Sequence, residues 1–251
     1  MTLQDVLLAA KVSVKRLAAA TRPPAQPVRV ADVLGDTAGK SVVDQFHRLW
    51  YNSDAAAAVN WRGCPVLKSP FDLWMYQELI ASTRPDVIIE TGTHRGGSAL
   101  FFSDVARLAD HPMDVVTVDF NPKLAYDPAA HRIFPIRGIS TAPATVAQVK
   151  AHLSTIRAGR PTTMVILDSD HSKQNVLEEL RVYAELVTPD QWLVVEDTNV
   201  NGHPVLPAHG DGPYEAVSEF LATNPAFAPD PSCERFLFTQ NPRGWLRRIA
   251  S

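Results

Sequence analysis

From residue 86 onward the chain alternates short, unbroken apolar runs with longer amphipathic stretches, and that rhythm restricts its fold more than any other feature. The runs are residues 87–89, 115–118, 133–136, 164–167 and 192–195. A strand wetted on one face alternates apolar with polar residues, so unbroken runs belong to strands covered on both sides. Between them, residues 97–108, 142–156 and 174–186 carry helical spacing. Strands alternating with helices predict a parallel α/β sheet joined by crossovers. The tail departs from this pattern. Residues 235–239 and 245–249 read as two strands around Pro242-Arg243-Gly244, which predicts an antiparallel hairpin at one sheet edge.

Ahead of the sheet, Leu3, Leu7, Ala10, Val14 and Leu17 form one helical stripe, while Lys11, Lys15 and Arg16 interrupt its apolar length. Neither a signal peptide nor a spanning helix fits that pattern. A surface or subunit-contact helix does, and a helix resting on a membrane surface is the sharper alternative. Arg22-Pro23-Pro24 ends it. The expected division is a helical extension over 1–49 and a catalytic domain over 50–251. The 24 basic and 27 acidic residues give a net charge of −3 without blocks of like charge, which argues against nucleic acid as a partner. Cys64 and Cys233 stand too far apart for a zinc pattern or a secreted disulfide framework, so a cytoplasmic protein is expected.

Ligands of such sheets bind beyond the carboxyl ends of the strands. The polar residues after each run are therefore informative: Glu90 to Ser98, then Asp119, then Asp168-Ser169-Asp170-His171, then Glu196-Asp197. Four strand ends deliver carboxylates to one rim. The glycine loop lacks the Gly-Lys-Ser/Thr of a phosphate loop, and Gly92, Gly96 and Gly97 miss the dinucleotide spacing. An acid at the rim suits a ribose, and the missing pyrophosphate cradle favours S-adenosylmethionine over NAD. The expected cofactor residues are Glu90, Thr91, Gly92, Gly97, Ser98, Asp119 and Asp170. Close backbone approach at Gly92 is expected to leave room for the cofactor tail.

Asp168, Glu196 and Asp197 form a second constellation. Three carboxylates with no cysteine nearby predict oxygen ligation of magnesium or another divalent cation. Like charges repel, so removing Asp168 is expected to leave the metal-free fold intact or firmer. His171 and His203 are candidate general bases, with Asp168 as a further catalytic residue. Trp50, Tyr51, Trp61, Trp74 and Tyr76 offer aromatic faces to a sugar, and residues 199–214 read as a flap over the metal.

Asp72-Leu73-Trp74-Met75-Tyr76-Gln77-Glu78, Ile89-Glu90-Thr91-Gly92, Leu167-Asp168-Ser169-Asp170-His171-Ser172 and Val195-Glu196-Asp197-Thr198 resemble the cephalosporin hydroxylase/rhamnosyl O-methyltransferase family. The stretch Asn201 to Pro207 is most similar to its actinobacterial sugar-methylating members. The resemblance runs from about Trp50 to Trp245. It implies a class I methyltransferase, Rossmann-like, with a mostly parallel seven-stranded sheet, S-adenosylmethionine, a divalent metal and frequent homo-oligomers. It also implies a sugar acceptor, such as a mannose oligosaccharide or a rhamnosyl glycolipid. It carries Glu90, Gly92 and Asp119 over as cofactor residues and Asp168, Glu196 and Asp197 as metal ligands. A non-haem iron hydroxylase is the alternative in the family name. His209-Gly210-Asp211 supplies half of its ligand pattern, but no histidine follows. A non-catalytic cofactor- or sugar-binding protein is the other alternative.

Overall fold

The computed structural model describes residues 36–53 and 55–249. The helix expected over 3–19 lies outside them. Five strands form at the apolar runs: β1 (Val87–Thr91), β2 (Asp114–Asp119), β3 (Ile133–Arg137), β4 (Thr163–Leu167) and β5 (Trp192–Val195). They pair in parallel in the order β3-β2-β1-β4-β5. Two more, β6 (Phe227–Pro229) and β7 (Trp245–Arg248), complete a seven-stranded sheet in which β7 runs antiparallel to both β5 and β6. Around it lie α1 (Asp36–Tyr51), α2 (Pro70–Thr83), α3 (Gly97–Leu108), α4 (Pro143–Thr155), α5 (Lys173–Tyr183) and α6 (Pro213–Thr223).

The pleat explains why the runs are unbroken. Val87, Ile89, Val116, Val118, Val165, Leu167, Leu193 and Val195 pack with Val149, Leu180 and Val217 of α4, α5 and α6. The intervening Ile88, Val115, Met164, Ile166 and Val194 pack with Ile80 and Phe102 of α2 and α3. Both faces are dry, so the central strands are apolar on both sides, and of the buried polar exceptions Glu90 and Thr117 bond to each other. The fold is the expected α/β class, three layers around a mostly parallel sheet.

The C-terminal edge differs in one respect. Residues 235–239 form no strand, and the second partner of β7 is β6. Leu237 takes a left-handed backbone (φ 69°), which breaks the extended run. The polar groups just beyond it turn inward: Thr239 Oγ1 and Gln240 N donate to the Asp72 carboxylate at 2.6 and 2.9 Å. The segment is thus a polar strap across the start of α2. β6 ends in Pro229, which an edge strand tolerates because that side needs no further ladder hydrogen bond.

Strand order reverses between β1 and β4, where the chain leaves β1 for α3 on one face and β4 for α5 on the other. That opens a crevice at the carboxyl ends. Register then aligns the rim: Thr91 stands opposite Val118 and Leu167, and Leu167 opposite Val195. The next residues, Gly92, Asp119, Asp168 and Glu196, therefore end one row. Among the described residues no helix is long and apolar enough to cross a membrane.

Candidate active site

A cleft of about 580 Å³ opens over this rim. Of the residues expected from sequence, Gly92, Gly97, Ser98, Asp119, Asp168, Asp170, His171, Glu196 and Asp197 line it. Glu90, Thr91 and His203 are absent from its walls.

Glu90 and Thr91 are fully buried beneath the cleft. Glu90 accepts hydrogen bonds from Ser98 Oγ and, at 2.8 Å, from Thr117 Oγ1. Burial pushes its carboxyl up to about 7, against the opposing pull of Lys68. Its visible work is to brace the glycine loop onto β2. Gly92 also meets a packing demand. A Cβ there would lie 1.7 Å from the backbone carbonyl oxygen of Asp168, so the missing side chain lets the end of β4 approach. Gly97 likewise admits the Pro65 carbonyl, 2.1 Å from its hypothetical Cβ. Asp119 does reach the wall, where its carboxylate accepts from His94 N at 2.8 Å and Asn121 N at 2.7 Å. Beside it the side chains of Phe120 and Ile139 line the cleft while 74% and 65% exposed, two apolar faces that no protein group covers. Asp170 accepts from Ser172 N at 2.8 Å and pre-forms the turn into α5, and hydrogen bonds from the Ser172 side chain first and its backbone second hold the carboxyl below the usual range.

The carboxylate end holds a group that the sequence reading missed. Lys68 Nζ lies 2.6 Å from Asp168 Oδ2 and 2.9 Å from Glu196 Oε1, with its side chain only 3% exposed. Tyr76, also fully buried, donates its hydroxyl to the same Glu196 oxygen. Asp197 instead faces His171, whose Nε2 stands 3.1 Å from Asp197 Oδ2. Burial pushes the Asp197 carboxyl up to about 6, with His171 opposing. Asp168, His171 and Asp197 each offer a ligand atom within 4.8 Å of the others. That trio differs from the expected Asp168–Glu196–Asp197 set by exchanging Glu196, held by Lys68 and Tyr76, for His171.

The expectation that Asp168 could be lost without harm to the metal-free fold is corrected by the same contact. Asp168 is paired with a buried ammonium, and breaking such a pair leaves a buried charge poorly compensated. No local pattern announced Lys68. It is a single lysine ahead of the Ser69-Pro70 helix start, 100 residues from Asp168.

The other candidates sit elsewhere. His203 stacks on Tyr214 with centroids 3.7 Å apart, and its Nε2 lies 2.9 Å from Glu215 Oε1. Residues 199–214 contribute nothing to the cleft lining and instead pack beside it, where Arg48 of α1 donates to the Pro204 carbonyl at 3.2 Å. Trp61 Nε1 bonds to Asp104, Trp74 Nε1 to Glu78, and Trp50 packs edge-on against Phe238, so these aromatic residues form no single platform. His209 Nδ1 lies 3.1 Å from the Gly210 carbonyl, and Asp211 pairs with Lys173.

Residues 53–249 match the model of the family described as rhamnosyl O-methyltransferase/CmcI. A rhamnosyl O-methyltransferase of Mycobacterium leprae is 40% identical over 212 residues, 83% of this chain and 91% of that protein. One from Mycobacterium bovis is 37% identical over 213 residues, 83% of this chain and 85% of its own length. Among solved structures, a CmcI protein in its apo form and one with Mg and SAM each superpose with a TM-score of 0.60 at 21% identity, covering 92% of this chain and 88% of theirs.

Proposed function

The chain belongs to the rhamnosyl O-methyltransferase/CmcI family, and on that premise we propose that this O-methyltransferase transfers a methyl group from S-adenosylmethionine to a sugar hydroxyl with the help of a divalent cation. The observation that carries the reading is the convergence of Asp168, His171 and Asp197 in a cleft that Asp119, Phe120 and Ile139 also line. Both halves of the site fit the groups they would hold. The uncovered faces of Phe120 and Ile139 suit a planar base, and the Asp119 carboxylate suits ribose hydroxyls. At the other end a cationic nitrogen already touches Asp168 and Glu196, so the surroundings suit positive charge. Asp168 and Asp197, with Glu196, would hold the cation, which leaves His171 free of it. When bound, the cofactor supplies an electrophilic methyl carbon, and the cation supplies the charge that acidifies an acceptor hydroxyl.

The chain's own groups then orient and deprotonate. His171 is the ring that would take the acceptor's proton. Its Nε2 stands 3.1 Å from Asp197 Oδ2, so Asp197 would stabilise the ring once charged. A crevice that binds donor and acceptor together would replace a bimolecular encounter with a positioned one. His203 has no part in this, because its ring is committed to Glu215 and Tyr214. Partners other than the sugar or glycolipid acceptor are not required by the chemistry.

The test is transfer from methyl-labelled S-adenosylmethionine to defined rhamnosyl and mannosyl acceptors, before and after exhaustive chelation. Transfer that stops with chelator and returns with Mg²⁺, and falls by about 10²–10⁴ in His171→Ala, supports the reading. Cofactor binding without transfer to any acceptor would leave a binding protein. Undiminished transfer after chelation would leave a metal-free methyltransferase.

A further inference from the structure

Lys68 is not used by the chemistry above, yet it is one of the most deeply placed charges in the molecule. Its position is built, not incidental. Ser69 caps α2 by accepting from Asp72 N at 3.0 Å, and Ser69 N donates to Gln240 Oε1 at 2.7 Å. Those bonds fix the backbone from which Lys68 extends. Its ammonium meets Asp168 Oδ2 and Glu196 Oε1 and lies 6.0 Å from the centroid of the Tyr76 ring.

The formal charges are informative. Lys68 offsets one of the negative charges that Asp168, Glu196 and Asp197 bring together. Without it, those carboxylates would present a divalent ion with one more net negative charge and no ammonium between them.

We propose that Lys68 is the site's resident first cation: it holds Asp168 and Glu196 in place before any metal arrives and weakens the binding of the divalent ion that follows. The inference rests on the divalent-cation reading above for its second half and on the ion pair alone for its first. Two cations sharing Asp168 repel each other, so the bound metal is held less tightly than three carboxylates alone would hold it. An exchangeable ion and a carboxylate set ordered without it are the consequences.

The experiment uses the full chain without cofactor or acceptor, with Mg²⁺ alone as probe. Thermal melts in chelator and calorimetric Mg²⁺ titrations compare the wild type, Lys68→Met, Asp168→Asn and the Lys68→Met/Asp168→Asn pair. In chelator, Lys68→Met is expected to melt below the wild type, and the double variant to recover part of that loss. Mg²⁺ should bind Lys68→Met at least tenfold more tightly than the wild type and raise its melting temperature more. A residue that merely shaped the fold would weaken metal binding when removed. If Lys68→Met does not fold in chelator, folding restored by Mg²⁺ supports the proposal, and failure of both Mg²⁺ and Asp168→Asn to restore it overturns it. A folded Lys68→Met that binds Mg²⁺ no more tightly than a wild type that does bind it overturns the proposal and leaves the divalent reading standing. Absence of Mg²⁺ binding in both proteins overturns that reading along with the second half here, while the melts still judge the first.

Discussion

Replacing Gly92 by alanine should damage stability and site together, and the structure supplies the size of the effect. Gly92 has φ +88°, and an alanine Cβ would stand 1.7 Å from the Asp168 carbonyl oxygen and 2.6 Å from its carbon. The left-handed backbone alone costs roughly 1–2 kcal/mol for a residue with a Cβ. Relief of the overlap needs Asp168 and Gly92 to separate by roughly 1.5 Å or more, since unbonded heavy atoms rest near 3.5 Å. That strains two backbone bonds, Gly92 N to Val118 O at 2.7 Å and Asp168 N to Thr91 O at 3.1 Å. Each is worth about 1 kcal/mol net. Together these terms give about 3–4 kcal/mol. Gly63 is the internal control: its φ is +83°, but nothing lies within 4 Å of its hypothetical Cβ. Gly63→Ala should therefore cost only the conformational term, about 1–2 kcal/mol. Urea unfolding followed by tryptophan fluorescence measures both by linear extrapolation. Under conditions where Gly92→Ala remains folded, Asp168 would still be displaced, and a displacement near 1 Å costs transfer about 10²-fold. If Gly92→Ala is no less stable than Gly63→Ala, the close approach of β4 is not what requires this glycine, and the reasoning fails.

Other outcomes follow from the same geometry. Asp119→Ala should weaken S-adenosylmethionine binding by roughly 1.5–3 kcal/mol through loss of a charged acceptor, and calorimetry showing wild-type affinity in a folded variant removes Asp119 from the cofactor site. Asp72→Asn should lower stability by about 1–3 kcal/mol, because the carboxylate accepts from Ser69 Oγ, Thr239 Oγ1 and Gln240 N, and an amide turns one acceptor into a donor. An unchanged denaturation midpoint would argue against the strap. Glu215 links stability to acid: burial pushes its carboxyl up, but hydrogen bonds from Gly212 N, His203 and Asn201 outweigh it and bring it down from 4.5 to about 2. A depressed acid stabilises the fold fully above its unfolded value and loses that contribution as pH falls through the folded one. Wild-type melting temperature should therefore drop between about pH 4.5 and 2 by more than that of Glu215→Gln, and parallel curves would refute the linkage.

Much of this molecule is written locally. A parallel strand covered on both faces is apolar at most positions, so the central strands appear in the sequence as nearly unbroken runs, and the acids that follow them mark the rim before any coordinate does. Asp119, Asp168, Asp170, His171 and Asp197 reach the cleft for that reason: a strand end in a fixed register leaves its next residue little choice of place. What the sequence does not carry is the pairing of residues far apart along it. Residues 236–238 are as apolar as a strand, yet they form none, because Thr239 and Gln240 are drawn to Asp72 more than 160 positions away. Glu90 looks like a rim acid but is taken up by Ser98 and Thr117 below the rim. Lys68 has no motif at all, and only the packing of α2 against the sheet brings it to Asp168 and Glu196. Periodicity reports which face of an element is dry. Which charge meets which inside the dry region depends on how separate elements stack, and no window of sequence contains that information.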